Sequence, residues 1–141
     1  MSHSTSGQPP RQAQLRTPLG RVRGAGSAKS GVHHWWMQRV TSIALLPLTI
    51  WFVASLATSA GLTHAEALAW IGHPFNATLL LALIALTFHH TASGLQVVIE
   101  DYTNSDTLKI ALILLTKGVC WLLGIAAALA VLRIAVLRVV A

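Results

Sequence analysis

Three long apolar runs constrain this chain more than any other feature of its sequence. They cover about residues 40–60, 77–99 and 108–137, and each reaches the roughly 20 residues that an α-helix needs to cross a bilayer. Only 10% of the 141 residues are charged, against about a quarter in soluble domains. We therefore predict an all-α integral membrane protein with three transmembrane helices and without a water-soluble core.

The segment before the first apolar run has a different composition. Residues 1–31 are rich in Ser, Gly, Gln, Pro and Arg and contain no acid. This composition predicts an extended or partly disordered basic tail, followed by a three-helix membrane anchor domain at 32–141. It also overlaps with mitochondrial transit peptides, an interpretation that ranks second because Pro9, Pro10 and Pro18 interrupt an amphipathic helix.

The distribution of basic residues predicts the orientation in the membrane. Eight would share one side with the N-terminus and the loop after the second run: Arg11, Arg16, Arg21, Arg23, Lys29, Arg39, Lys109 and Lys117. Two, Arg133 and Arg138, would lie on the other side. Because basic residues favour the cytoplasmic side, we expect a bacterial inner membrane protein with a cytoplasmic N-terminus; the mitochondrial inner membrane is the less favoured alternative.

A belt of aromatic and basic residues precedes the first run, with the sequence HHWWMQR from His33 to Arg39. Trp rings favour the headgroup level of a bilayer. Two interpretations of Arg39 have similar weight: a clamp on a heme propionate or an anchor to lipid phosphate. His33 and His34 could support such a site.

The second run carries two histidines in its interior, and an ionisable residue inside lipid is a functional hypothesis by default. On a helix, Gly94, Val97 and Asp101 lie within about 40° of His90, whereas His89 points about 100° away. Imidazole is the usual axial donor to heme iron, and Gly94 would leave clearance for a porphyrin. The competing interpretation is a buried histidine bonded to a neighbouring helix, and the spacing keeps His89 open as the alternative ligand.

An acid and a phenol end the same run. Tyr102 lies about 18 Å along the helix from His90, near the predicted membrane surface. A phenol can donate to a quinone carbonyl, and the adjacent Asp101 can direct a proton toward it. The alternative is that Tyr102 only anchors the helix, because tyrosine favours the membrane–water interface.

Two segments, GSAKSGVHHWWMQRVTSIALLPL (Gly26–Leu48) and HTASGLQVVIEDY (His90–Tyr102), resemble the hydrophobic membrane anchor subunits of succinate dehydrogenase (respiratory complex II), especially bacterial members. The resemblance implies a three-helix subunit beside a second membrane anchor subunit, beneath an iron-sulfur subunit and a flavoprotein subunit that holds FAD. It further implies heme b shared with the second anchor subunit and ubiquinone as the substrate. Electrons from succinate would reduce the quinone in the tricarboxylic acid cycle and respiratory chain.

The family's functional residues fall on positions of this sequence. Its axial histidine matches His90, its quinone-site pair matches Asp101 and Tyr102, and its propionate arginine matches Arg39, with His33 six residues earlier. One departure is visible, because related sequences often continue Asp-Tyr-Val-His where this one reads DYTNSD. The departure concerns the residues after the tyrosine and leaves the pair itself intact.

Two alternatives from other functional classes remain open. One is a purely structural membrane anchor without heme, and the other is a small proton or solute transport subunit. A nucleic-acid partner is disfavoured because the basic tail lacks interleaved aromatic residues and adjoins a membrane span.

Overall fold

The computed structural model of this chain describes Leu19 and residues 29–140. The predicted basic tail at 1–31 therefore lies almost entirely outside the described residues, and its extended conformation stays a prediction. By its internal contacts the chain divides after Val32, and the contacts described below all belong to the part from His33 onward.

Four helices make up the described chain: α1 (Lys29–Thr58), α2 (His64–Ile71), α3 (Pro74–Tyr102) and α4 (Asp106–Val140). The three long ones contain apolar stretches able to span a membrane, with mean hydropathies of 2.0, 1.4 and 2.4 in α1, α3 and α4. No strand occurs among the described residues. The predicted all-α fold with three transmembrane helices is confirmed.

The first helix begins earlier than predicted, at Lys29 rather than near Val40. The HHWWMQR belt contains no helix-breaking residue, so the helix continues through it, although its polar residues hide it from a hydropathy count. Helical spacing places Arg39 one turn from Trp35, and the Arg39 Cζ atom lies 5.2 Å from the centre of the Trp35 ring. The belt is therefore the N-terminal part of α1.

The segment between the first two apolar runs, residues 61–76, is not a plain loop, because it contains α2. The Thr63 side chain accepts a hydrogen bond from Glu66 N–H at 3.3 Å, and Glu66 Oε2 accepts from Thr63 N–H at 2.7 Å. This reciprocal cap satisfies two N–H groups that would otherwise lack partners at the helix start. The Thr63 backbone N–H, and then its hydroxyl, lower the pKa of Glu66 because both donate to the carboxylate.

Several contacts hold α2 against the ends of the long helices that lie away from Tyr102. The Trp70 ring stacks on Trp51 with 5.8 Å between ring centres. The Asn76 side chain donates to the Trp70 carbonyl at 2.8 Å, and Arg138 donates to the Ala69 carbonyl. A cation at the C-terminal end of a helix is favoured by the helix dipole. The short helix therefore closes this end of the bundle.

Small residues bring α3 and α4 together. A Cβ atom added at Gly124 would lie 3.3 Å from the Phe88 ring. One turn nearer the Tyr102 end of each helix, Ala92 and Cys120 are both buried. Association of helices in lipid depends on such close packing, since lipid offers no hydrophobic drive for it.

Filling the space at Gly124 should destabilise the bundle. We expect Gly124→Val to cost about 1–3 kcal/mol, because the added methyl groups would press on Phe88. Gly118→Val is the matched control, as nothing lies within 4 Å of a Cβ atom at Gly118 on the same helix. Unfolding of the full chain by SDS in mixed micelles would measure both; equal losses would show that Gly124 does not set the α3–α4 distance.

Candidate functional site

The side chain of His90 is held by a hydrogen bond to the first helix. Its Nδ1 atom lies 3.0 Å from Thr41 Oγ1, across the contact between α3 and α1. Thr41 is only 3% exposed, whereas the His90 ring is half-buried. A polar pair at membrane depth satisfies its hydrogen bonds only within the protein, so this contact fixes where α1 meets α3.

The hydrogen bonds of Thr41 indicate which ring nitrogen of His90 carries the proton. The Thr41 hydroxyl donates to the Met37 carbonyl, 2.8 Å away, as serine and threonine commonly do within helices. A hydroxyl has a single proton, so Thr41 Oγ1 is left to accept from His90 Nδ1–H. We infer that His90 Nε2 carries the free lone pair, which is the form of imidazole that ligates a metal.

Gln38 covers the second ring nitrogen. Its Nε2 atom lies 3.4 Å from His90 Nε2, which is long for a hydrogen bond. Its Oε1 atom is buried and has no hydrogen-bond partner among the described residues. A Cβ atom at Gly94 would lie 3.3 Å from Gln38 Nε2, so the glycine provides the room for this amide. The lone pair of His90 is therefore covered by a flexible and poorly satisfied side chain.

The neighbouring histidine has different surroundings. The exposed ring of His89 lines a groove of about 690 Å³ between α1, α3 and α4, whereas His90 does not line it. The rotation of about 100° between adjacent helical residues separates the two imidazoles. Their environments thus distinguish two side chains that the sequence leaves as alternatives.

The remaining predicted site residues lie apart from His90. Asp101 and Tyr102 are the last two residues of α3, and Tyr102 is 85% exposed. Arg39 lies between Gln38 and Thr41 along α1, so its backbone is at the level of His90, while its exposed side chain lies against Trp35. His33 is exposed one and a half turns earlier. Within the described chain none of these four hydrogen-bonds to His90.

Thr41 and Gln38 are the two residues that the sequence analysis missed. Both are polar residues within or beside an apolar run, three positions apart and therefore on one helix face. That pattern could have indicated a polar stripe turned toward another helix. It could not have named His90 as the partner.

Metal-ligating residues are dispersed through the described part of the chain. No three His, Cys, Asp or Glu side chains within it are grouped so that they could hold a metal ion. His90 is therefore a single donor, and a complete ligand set would need a further group.

Comparison with known proteins establishes the family. The family model described as succinate dehydrogenase/fumarate reductase transmembrane subunit matches residues 13–132. The chain belongs to this family. It is a multi-pass membrane anchor subunit of succinate dehydrogenase, an oxidoreductase complex whose catalytic subunits are partner chains.

Individual relatives agree with the family assignment. Succinate dehydrogenase hydrophobic membrane anchor subunits of Rickettsia typhi and Paracoccus denitrificans are each 34% identical to this anchor subunit, over 99 and 97 residues. These matches cover 70% and 69% of this chain and 78% and 75% of the relatives. The corresponding subunit of Rickettsia conorii is 33% identical over 107 residues, covering 75% of this chain and 85% of its own. No solved structure is significantly similar.

Removing the Thr41 hydroxyl should weaken the contact between α1 and α3. We expect Thr41→Val to destabilise the full chain by about 1–3 kcal/mol, because His90 Nδ1–H would lose its acceptor. Thr58→Val is the control, since Thr58 makes the same bond to its own helix but is exposed. SDS titration in mixed micelles would compare them; losses of equal size would show that the bond to His90 adds nothing to stability.

Proposed function

We propose that this anchor subunit helps to bind heme b and ubiquinone within succinate dehydrogenase. Electrons from succinate, delivered by the FAD and iron-sulfur subunits of the complex, would then reduce the quinone to quinol. The observation that carries the heme part is the state of His90, with Nδ1 fixed by Thr41 and Nε2 covered only by Gln38. The family membership and the Asp101-Tyr102 pair support the quinone part.

The residues around His90 fit a heme. His90 Nε2 would be the axial donor, and the bond from Nδ1–H to Thr41 would hold the ring orientation, as such bonds do for most metal-bound histidines. Gln38 is the side chain that would move aside. Its buried Oε1 has no partner among the described residues, so its present position is costly and moving it loses little.

Other residues of the chain would complete the cofactor site. Arg39 lies at the level of His90 on α1, and its guanidinium would pair with a propionate, with His33 in support. Gly94 would leave space beside the ring. The second axial ligand would come from the second anchor subunit, in keeping with the lack of a grouped metal-ligand set in the described chain. When bound, heme b supplies one-electron chemistry.

The quinone would bind at the exposed end of α3. The Tyr102 side chain is 85% exposed and available to a site formed together with partner subunits. Its hydroxyl would donate to a quinone carbonyl, and Asp101 would direct protons toward it. Reduction to quinol consumes two electrons and two protons. Tyr102 would therefore orient the substrate, and Asp101 would assist its protonation.

The same contacts support the proposed orientation of the subunit. Gln38 meets His90 and Gly94 across antiparallel helices, so the start of α1 and the Tyr102 end of α3 share one side. This arrangement supports assigning the arginines of the N-terminal tail and Lys109 to the same side of the membrane. The positive-inside rule then favours a bacterial inner membrane location with that side toward the cytoplasm.

Spectra of the intact complex test the heme ligand. His90→Leu should abolish the b-type band in the reduced-minus-oxidised spectrum, because the axial donor is lost. His89→Leu is the matched control and should keep the band. If the band survives in His90→Leu, His90 is not the heme ligand and its role is structural. If the band is lost only in His89→Leu, His89 is the ligand.

Paired activity assays test the quinone site. Tyr102→Phe should lower succinate:quinone reductase activity about tenfold, the expected loss for one hydrogen bond to the reacting substrate. Succinate oxidation with a soluble dye should be unchanged, since it occurs in the partner subunits. A parallel fall in both activities would show that Tyr102 supports assembly instead of quinone binding.

A further inference from the structure

The groove between α1, α3 and α4 lies on a different face of α3 from His90. His89, Ser93 and Gln96 line it, and they project about 60–120° around the helix from His90. Its volume of about 690 Å³ is within the range of small-molecule sites, about 300–1,000 Å³. Of the residues in the heme and quinone sites proposed above, Thr41 alone lines this groove.

Three polar side chains, one from each long helix, meet the groove at one level. Thr41 faces His90 and Gln38 faces Gly94, so His34 lies at the level of about residues 97–98 of α3. Gly124 faces Phe88, so Lys117 lies at the level of about residue 95. His34, Gln96 and Lys117 all line the groove and differ in height by about 5 Å at most.

Two of these side chains can bind an added group. His34 Nε2 is buried and has no hydrogen-bond partner among the described residues. Lys117 contributes an exposed cationic ammonium group. Gln96 already donates its amide to Glu100 at 2.7 Å, so it contributes less. The polar part of the groove therefore suits an anion, and a neutral ligand would leave the charge of Lys117 unmatched.

Apart from His89, the rest of the groove is mainly apolar and runs deeper into the membrane. It follows α3 from Ala92 to Leu81, with Ile125 and Ala128 of α4 opposite. These twelve residues extend about 16 Å, close to half of the roughly 30 Å hydrocarbon thickness. The shape suits a flexible chain that crosses one leaflet.

We propose that this groove binds one anionic phospholipid from the leaflet at the Tyr102 end. Its phosphate contacts Lys117 and His34, and an acyl chain lies along Leu81, Ile84 and Ile125. Lysine side chains extend readily toward headgroups, which allows Lys117 to reach the phosphate. The lipid fills the space between α1 and α4, two helices that are otherwise joined through α3 and, at the far end, through α2.

The test uses the intact complex purified in mild detergent and supplied with phosphatidylglycerol or phosphatidylcholine. Native mass spectrometry should show tightly retained phosphatidylglycerol. Lys117→Gln should lower its occupancy about tenfold at a fixed lipid concentration, and Lys117→Arg should restore it. Lys109→Gln removes the same charge from the same helix outside the groove and should have no effect. The heme band and dye-linked succinate oxidation report assembly and should stay unchanged in all variants.

A second measurement uses Cys120, the single cysteine of the chain, which is buried and lines the groove. Delipidation should increase its labelling by maleimide, and phosphatidylglycerol should reverse the increase. Equal protection by phosphatidylcholine, or equal lipid retention in Lys117→Gln, would overturn the proposal. Protection that persists after complete delipidation would mean that a protein partner covers the groove. Quinone found in the groove in place of lipid would also contradict the proposal.

Discussion

The hydrogen bond between His90 and Thr41 fixes the arrangement on which the other features depend. Both side chains lie within apolar helices, where water cannot satisfy them, so each must find its partner in the protein. The bond sets the height of α1 against α3. That height places the backbone of Arg39 near the level of His90, and His34 near the level of Gln96. One polar contact therefore positions both the proposed cofactor site and the groove on the other face.

The two ends of the bundle are built for different purposes. At the far end, α2 is capped by Glu66, stacked through Trp70 and bonded to Arg138, so the chain satisfies its own polar groups there. At the other end α3 finishes on an exposed tyrosine. An exposed end of this kind in the isolated chain is expected of a subunit in a larger complex, because partner subunits can cover it.

The doubled histidine shows how one step along a helix separates two functions. His90 faces α1, where a hydroxyl orients it and an amide covers its lone pair. His89 faces the groove and is exposed to whatever occupies it. The same residue type is thus a candidate iron ligand at one position and part of the groove wall at the next. The difference lies in the neighbouring helices and not in the imidazole itself.

The sequence by itself determined the three spanning helices, because apolar runs of that length have no other stable arrangement in a bilayer. It also indicated the family, through the resemblance carried by the segments Gly26–Leu48 and His90–Tyr102. It could have revealed α2, since the cap of Thr63 and Glu66 is local, but the start of α1 was hidden by polar residues. Only the tertiary structure decided that Thr41 and Gln38 face His90. Those residues are 49 and 52 positions from it, and their meeting depends on how two helices pack, a property that neither helix carries alone.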